Sequence, residues 1–561
     1  MKNVLHSIRK SFTANPAKYS YGLFGITNLT QPKHFVDFAV TTVDLVQRER
    51  NYVVENENSL TPQQLIIKLD SISNQICSII DPAELCRNVH SSPEFVEAAE
   101  SVFEMLTKSI HSLNADLSIF NIIRRLVDNQ EIFDQLSTEE QMLLTDLKHE
   151  FEDNGIAGDE TFRQKIIEIQ SQIVDSESRF MQTISTADEF VFTIGPIPHD
   201  SYIRIKQWVS QFVSQSHAQS DYYIMCSSNK QVSGVLLKSL SRQSNRKELW
   251  KQVFSQPTAN VRELGFLIQS RQKLATTLGF ASHAHKFLSN KALKSPEQVF
   301  SLLEELRDGS TEQATTDLDR LRSIMPADMR DNNGTIYPWD LSYLMNLYQS
   351  GDPANKQRAQ ALNSLQDFMP LDRCLDGLIM ICSELFNIEF VRESIHNSES
   401  WLLGNDSFGQ LFKFRVVDCD KRTVGVLYLD LWQRHGKFPG SAHFTIQCGC
   451  KTKSHVVIQQ RPAEDILDPE YQLPVVALTL NFAPAPQKCL TLQELEVLYH
   501  EWGHALHSLL SRTYFQHLSG TRAALDFAEV CLVMHCQGLC LFDHTFVNAG
   551  PVTSLRVFCQ K

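Results

Sequence analysis

The chain has 561 residues, 42% of them hydrophobic and 21% charged, with 65 acidic against 52 basic side chains and a net charge of −13. That composition excludes a wholly disordered chain and is too long for one ordinary domain. The acidic balance argues against nucleic-acid backbone binding and suits basic peptide ligands, and no apolar run near 18 residues suggests a membrane span.

The first 36 residues contain no Asp or Glu but hold Lys2, Arg9, Lys10, Lys18 and Lys33, with Leu5, Ile8 and Phe12 at helical spacing. A basic, acid-free, amphipathic start has the pattern of a mitochondrial targeting leader, and residues 1–20 are set apart from the fold on that ground. The 13 cysteines show no compact paired framework. Together with the lack of an apolar signal peptide, this points to a reducing compartment and free thiols. Cys448 and Cys450, and the later group Cys531, Cys536 and Cys540, contain no C-x-x-C pair and read as small buried thiols.

From about residue 35 to 320 the periodicity is helical. Val36, Val40, Val43 and Val46 fall at three- and four-residue steps, as do Ile166, Ile169 and Ile173. Asp81-Pro82 and Ser295-Pro296 read as helix starts, with Asp or Ser as cap and Pro first in the helix. Near residue 400 the pattern changes to strands. Phe412, Phe414 and Val416 alternate with polar residues, the cluster 418–421 turns the chain, and 424–429 runs back as a hairpin. Segments 443–446 and 474–480 are two further strands. The boundary between an N-terminal helical lobe (21–300) and a second lobe (301–530) is soft, with no linker-like stretch to mark it.

A helix begins at Thr491, where Thr491 and Glu494 have the spacing of a capping box. It carries His500-Glu501-Trp502-Gly503-His504. Two histidines four residues apart lie on one helical face and can reach one ion, and the Glu beside the first can point at a metal-activated water, which is the H-E-x-x-H pattern of zinc peptidases. A Gly inside a helix costs about 1 kcal/mol relative to Ala, so Gly503 suggests another backbone close to this helix. A catalytic zinc takes a third protein ligand and keeps one open position. The acids downstream are Asp526, Glu529 and Asp543. Glu529, 25 residues past His504, leaves room for the helix to end, for Ser519-Gly520-Thr521 to turn and for the chain to return, so it is the third ligand. Asp526, a turn earlier, is a candidate for orienting a ligating histidine from behind.

The run from His500 to Ser508, then Gly520-Thr521-Arg522 and Asp526-Phe527-Ala528-Glu529-Val530, resembles the thimet oligopeptidase family of zinc metallopeptidases. Gly22-Leu23-Phe24-Gly25, Tyr428-Leu429-Asp430-Leu431 and the stretch Tyr471 to Val476 add to the likeness, which is nearest to the branch of the family that trims imported mitochondrial precursors. The resemblance implies a mainly α, two-lobed molecule with a small β-sheet near the active site and a deep channel. It implies one zinc on His500, His504 and Glu529, with Glu501 as general base. It further implies unfolded peptide or precursor substrates, removal of N-terminal octapeptides, a monomer, and a matrix location, the alternative being a general cytosolic oligopeptidase. Mn or Co also suits two His and one Glu. If the strand at 474–480 lies at a sheet edge, Val475, Val476, Ala477 and Leu478 can pair with substrate backbone. After Val530 the family pattern stops. The family's following region supplies a His and Tyr residues that stabilise the oxyanion, and the divergent 531–561 tail lacks it, leaving a truncated, non-catalytic peptide binder as a third reading.

Overall fold

The computed structural model describes residues 21–156, 158–185, 192–197, 222–226, 230–255, 258–331, 333–351, 366–402, 411–451, 470–483, 488–524 and 526–529. The expected leader (1–20) and tail (531–561) lie outside the described residues. The protein is mostly helical with a small five-stranded mixed sheet. It divides into two compact units, one formed by the described parts of 1–159 and 368–561, the other by those of 160–367.

In the first unit, helices α1 (Pro32–Glu55), α2 (Pro62–Val89), α3 (Pro93–Asn114), α4 (Leu117–Asp128) and α5 (Thr138–Asp153) precede the sheet. Helix α2 starts at a capping box in which Thr61 accepts from the Gln64 N–H. It then runs through Pro82, which corrects the expected helix start at Asp81-Pro82. The reason is packing: Ile72, Ile76, Ile79, Ala83, Leu85, Cys86 and Val89 belong to one core, and their burial outweighs the hydrogen bond that Pro82 cannot make.

The second unit contains α6 (Glu160–Ser185), the antiparallel pair β1 (Phe192–Ile197) and β2 (Tyr222–Cys226), α7 (Thr258–Thr277) and α8 (Pro296–Ser323). Ile166, Ile169 and Ile173 of α6 pack on Leu267 and Leu274 of α7. Helix α8 begins as Ser295-Pro296 predicts, with the Ser295 hydroxyl accepting from the Gln298 N–H at 3.3 Å.

Helix α9 (Leu371–Phe386) returns the chain to the first unit and leads into β3 (Glu389–Glu393), β4 (Phe412–Val417), β5 (Thr423–Trp432), β6 (Ala442–Gln447) and β7 (Val475–Phe482). Their order in the sheet is β3-β4-β5-β7-β6. The expected hairpin is present as the antiparallel pair β4–β5, with Phe414 opposite Leu427. Strand β7 is parallel to β5 and antiparallel to β6. Side chains alternate between two cores. Tyr428, Val475 and Ala477 face helices α1 to α3, while Leu427, Leu429, Val476, Leu478 and Leu480 face α9 and the last helix, α10 (Leu492–Leu510).

This arrangement corrects the expected substrate strand. Val475, Val476, Ala477 and Leu478 sit on β7, whose two backbone edges are taken by β5 and β6. An unbroken apolar run marks a strand buried on both faces, and such a strand lies inside a sheet. Among the described residues the outer strand beside α10 is β6. The chain leading into it is held by Lys437, whose buried ammonium donates to Asp430 Oδ1 (2.8 Å) and to the carbonyls of Asp430 (2.9 Å), Trp432 (3.0 Å) and Leu480 (2.6 Å).

No described helix is long and apolar enough to cross a membrane. Among the described residues Cys77, Cys86, Cys374, Cys382, Cys419, Cys448, Cys450 and Cys489 are free thiols.

Candidate active site

Helix α10 carries the chemistry and its start is built as the sequence predicts. The Thr491 hydroxyl accepts from the Glu494 N–H (3.2 Å), and the Glu494 carboxylate accepts from the Thr491 N–H (2.8 Å). Its apolar side, with Leu498, Trp502, Ala505, Leu506 and Leu509, is sealed against the sheet and α9. Trp502 is wholly buried with its ring 5.3 Å from Phe390. Gly503 is buried as well, and close backbone approaches to the helix occur nearby: a Cβ on Gly425 would lie 2.6 Å from Leu509 Cδ2, and one on Gly520 would lie 2.8 Å from Ser508 Oγ.

His500 and His504 leave the opposite face one turn apart, with ring centroids 5.0 Å apart at 88°. Glu529 comes from the short helical turn 526–529, where the Phe527 and Ala528 N–H groups donate to the Ala524 carbonyl. Its two carboxylate oxygens each face one imidazole: Oε2 is 3.6 Å from His500 Nε2, and Oε1 is 3.6 Å from His504 Nε2. All three residues offer ligand atoms within 4.8 Å of one another. Donors about 2.0–2.1 Å from a tetrahedral zinc stand about 3.3 Å apart, close to the 3.6 Å between each Glu529 oxygen and its imidazole. The chemistry also suits the ion. Burial pushes the His504 imidazole down to about 4, against the pull of Glu529, so it is neutral and has a lone pair to give near pH 7. The side chains of His500 and Glu529 are 35% and 45% exposed and that of His504 13%, which leaves the open side of the cluster toward solvent.

Glu501 lies beside this cluster and is buried. It is 7% exposed, and burial followed by the nearby Glu529 charge raises its carboxyl to about 7. The backbone of His443, on β6, acts against that rise. His443 stands opposite Leu478 in the β6–β7 ladder. Its ring lies 6.2 Å from that of His504. Burial, with His504 and His507 adding, lowers the His443 imidazole to about 3. Sequence reasoning missed His443, because it lies in an ordinary strand pattern 58 residues before Glu501 and nothing local signals the contact.

Asp526 lies three residues before Glu529 on the same turn and is partly buried. The connection from α10 to this turn is fixed at several points. The Gln516 and His517 N–H groups donate to Asp70 on α2 (3.0 and 3.1 Å), and Gly520 N–H donates to Ser511 Oγ (3.1 Å). Arg522 pairs with Asp81 (2.6 Å), also on α2. The Tyr471 hydroxyl donates to the Thr513 carbonyl (3.1 Å).

Comparison with known proteins identifies the family. The model of peptidase family M3 matches residues 236–534, just over half of the chain and a range that includes His500, Glu501, His504 and Glu529. The chain is 29% identical over 533 residues to a mitochondrial intermediate peptidase of Arabidopsis thaliana, covering 93% of this chain and 71% of that protein. It is 26% identical over 570 residues to that of Yarrowia lipolytica (97% and 70%), and 28% identical over 550 residues to that of Saccharomyces cerevisiae (91% and 67%).

Proposed function

The chain belongs to peptidase family M3, and from that premise we propose that it is a zinc endopeptidase that trims N-terminal octapeptides from precursor proteins imported into the mitochondrial matrix. The observation that carries the reading is the convergence of His500, His504 and Glu529 beside a buried Glu501 whose carboxyl is raised to about 7. The names of the relatives support the precursor-processing role, and the basic, acid-free leader supports the location.

In this reading His500, His504 and Glu529 hold the zinc, which when bound supplies Lewis-acid polarisation of the scissile carbonyl and of the attacking water. Glu501 acts as the base. Its carboxylate takes a proton from the attacking water and passes it to the leaving amine nitrogen as the C–N bond breaks. Substrate backbone adds to β6, the outer strand next to α10, since β7 has no open edge. Strand addition requires an extended chain, which favours unfolded peptides. Asp526, on the turn that carries Glu529, orients a ligating histidine.

The test is cleavage of a peptide that spans a precursor octapeptide junction, with Glu501→Gln as the control. Chelator-sensitive cleavage by the wild-type chain that is lost in the variant supports the reading. Zinc binding without chelator-sensitive cleavage contradicts it in favour of a peptide-binding role.

A further inference from the structure

The third ligand stands apart from the other two. His500 and His504 share one rigid helix, whereas Glu529 rides on a turn and is separated by 18 residues from Leu510, where α10 ends. Something must hold that turn at the height of the two imidazoles.

The connection lies along one face of α2. Asp70, Ser73, Cys77 and Asp81 follow one another at three- and four-residue steps and so share a stripe. Asp70 accepts from two backbone N–H groups of the connection, and the Ser73 hydroxyl donates to Gln516 Oε1 (2.8 Å). Asp81 takes Arg522 Nη2 at 2.6 Å, and Arg522 Nε donates to Cys448 Sγ at 3.1 Å, one residue past β6. The Asp81 side chain is only 18% exposed, and burial raises its carboxyl above the usual carboxylate range against the pull of the Arg522 guanidinium. Arg522 is therefore pinned between α2 and the end of β6. From that pin seven residues lead to Glu529. With Arg522 released the next anchor upstream is Gly520, whose N–H donates to Ser511 Oγ, so nine residues rather than seven lead to Glu529 and the extended reach grows from about 25 to about 31 Å.

We propose that Arg522, pinned by Asp81 and Cys448, is a positioning residue for Glu529, setting the third metal ligand against His500 and His504. The inference rests on the ligand assignment under the proposed function. Outer partners of metal ligands typically change metal affinity 10–100-fold when removed, and the same range is expected here.

The test measures the zinc dissociation constant of the purified full chain by chelator competition, for the wild type, R522M, D81N, E529A and R522M/E529A. R522M raises the constant 10–100-fold, E529A raises it at least as far, and the double variant binds no more weakly than E529A alone. That coupling separates positioning from a general loss of stability, which would weaken both backgrounds alike. Should R522M fail to fold, D81N, which keeps the side-chain volume and removes the attracting charge, raises the constant in the same direction and again adds nothing to E529A. A constant within twofold of wild type in R522M or D81N, or an equal fold-loss in the E529A background, overturns this inference while leaving the ligand set standing. An unchanged constant in E529A overturns both.

Discussion

Gly520→Ala is the substitution whose effect the structure sets most closely. Gly520 has φ +58°, in the left-handed region, where an L side chain costs roughly 1–2 kcal/mol. The added Cβ would also stand 2.8 Å from Ser508 Oγ, 3.0 Å from Ser508 Cα and 3.2 Å from Ser508 Cβ. The hydroxyl can rotate away, but the backbone of Ser508 belongs to the body of α10 and cannot move without the helix. Overpacking of this kind costs about 1–3 kcal/mol, for a total of about 2–5 kcal/mol. Ser508 is one turn past His504, and Gly520 precedes Arg522 and Glu529 in the connection, so the strain falls between the first two ligands and the third. Denaturant unfolding of the zinc-free chain should show that loss, and zinc affinity should fall with it. Ser508→Ala added to Gly520→Ala should recover only part, because the clash with the helix backbone and the left-handed conformation both remain. A Gly520→Ala variant within about 0.5 kcal/mol of wild type would refute the claim that the turn is pressed against the helix.

Two further effects follow from the same structure. Thr491→Ala removes the acceptor for the Glu494 N–H and should cost about 1 kcal/mol in denaturant unfolding, with an unchanged result contradicting the cap. His90 is 6% exposed, its Nδ1 accepts from the Ser92 N–H at 2.9 Å, and burial with the repulsion of Arg434 lowers it to about 4. Its folded value lies below the unfolded 6.5, so the unfolded chain binds the proton first and stability falls as pH drops from about 6.5 to 4, by roughly 3 kcal/mol over the window. His90→Asn should flatten that slope relative to wild type, and parallel stability-against-pH curves would rule out a buried neutral His90.

Features written in adjacent residues were legible in the sequence, and features set by the packing of distant ones were not. The capping box of α10, the start of α8 at Ser295-Pro296 and the β4–β5 hairpin each depend on a few neighbouring residues, and each stands where the pattern places it. Pro82 was misread because a local stop signal was outweighed by the burial of α2 on both sides of it. The strand at Val475–Leu478 was recognised as a strand, but its unbroken apolar run meant burial in the middle of the sheet rather than an edge open to substrate. The spacing of His500, His504 and Glu529 named residues that the fold does bring together. It could not reveal the approach of the His443 ring to His504, nor the pairing of Arg522 with Asp81 across 441 residues of sequence. Those contacts exist only once the sheet, α2 and α10 have packed.

The most direct test of the account is the zinc stoichiometry of the purified chain, determined together with the same measurement on His504→Ala. The account predicts one tightly held zinc per wild-type chain and its loss in the variant, with the far-UV circular dichroism of the two proteins superimposable. A wild-type chain that holds no zinc, or a His504→Ala chain that keeps a full equivalent, would contradict the assignment of His500, His504 and Glu529 as the metal site.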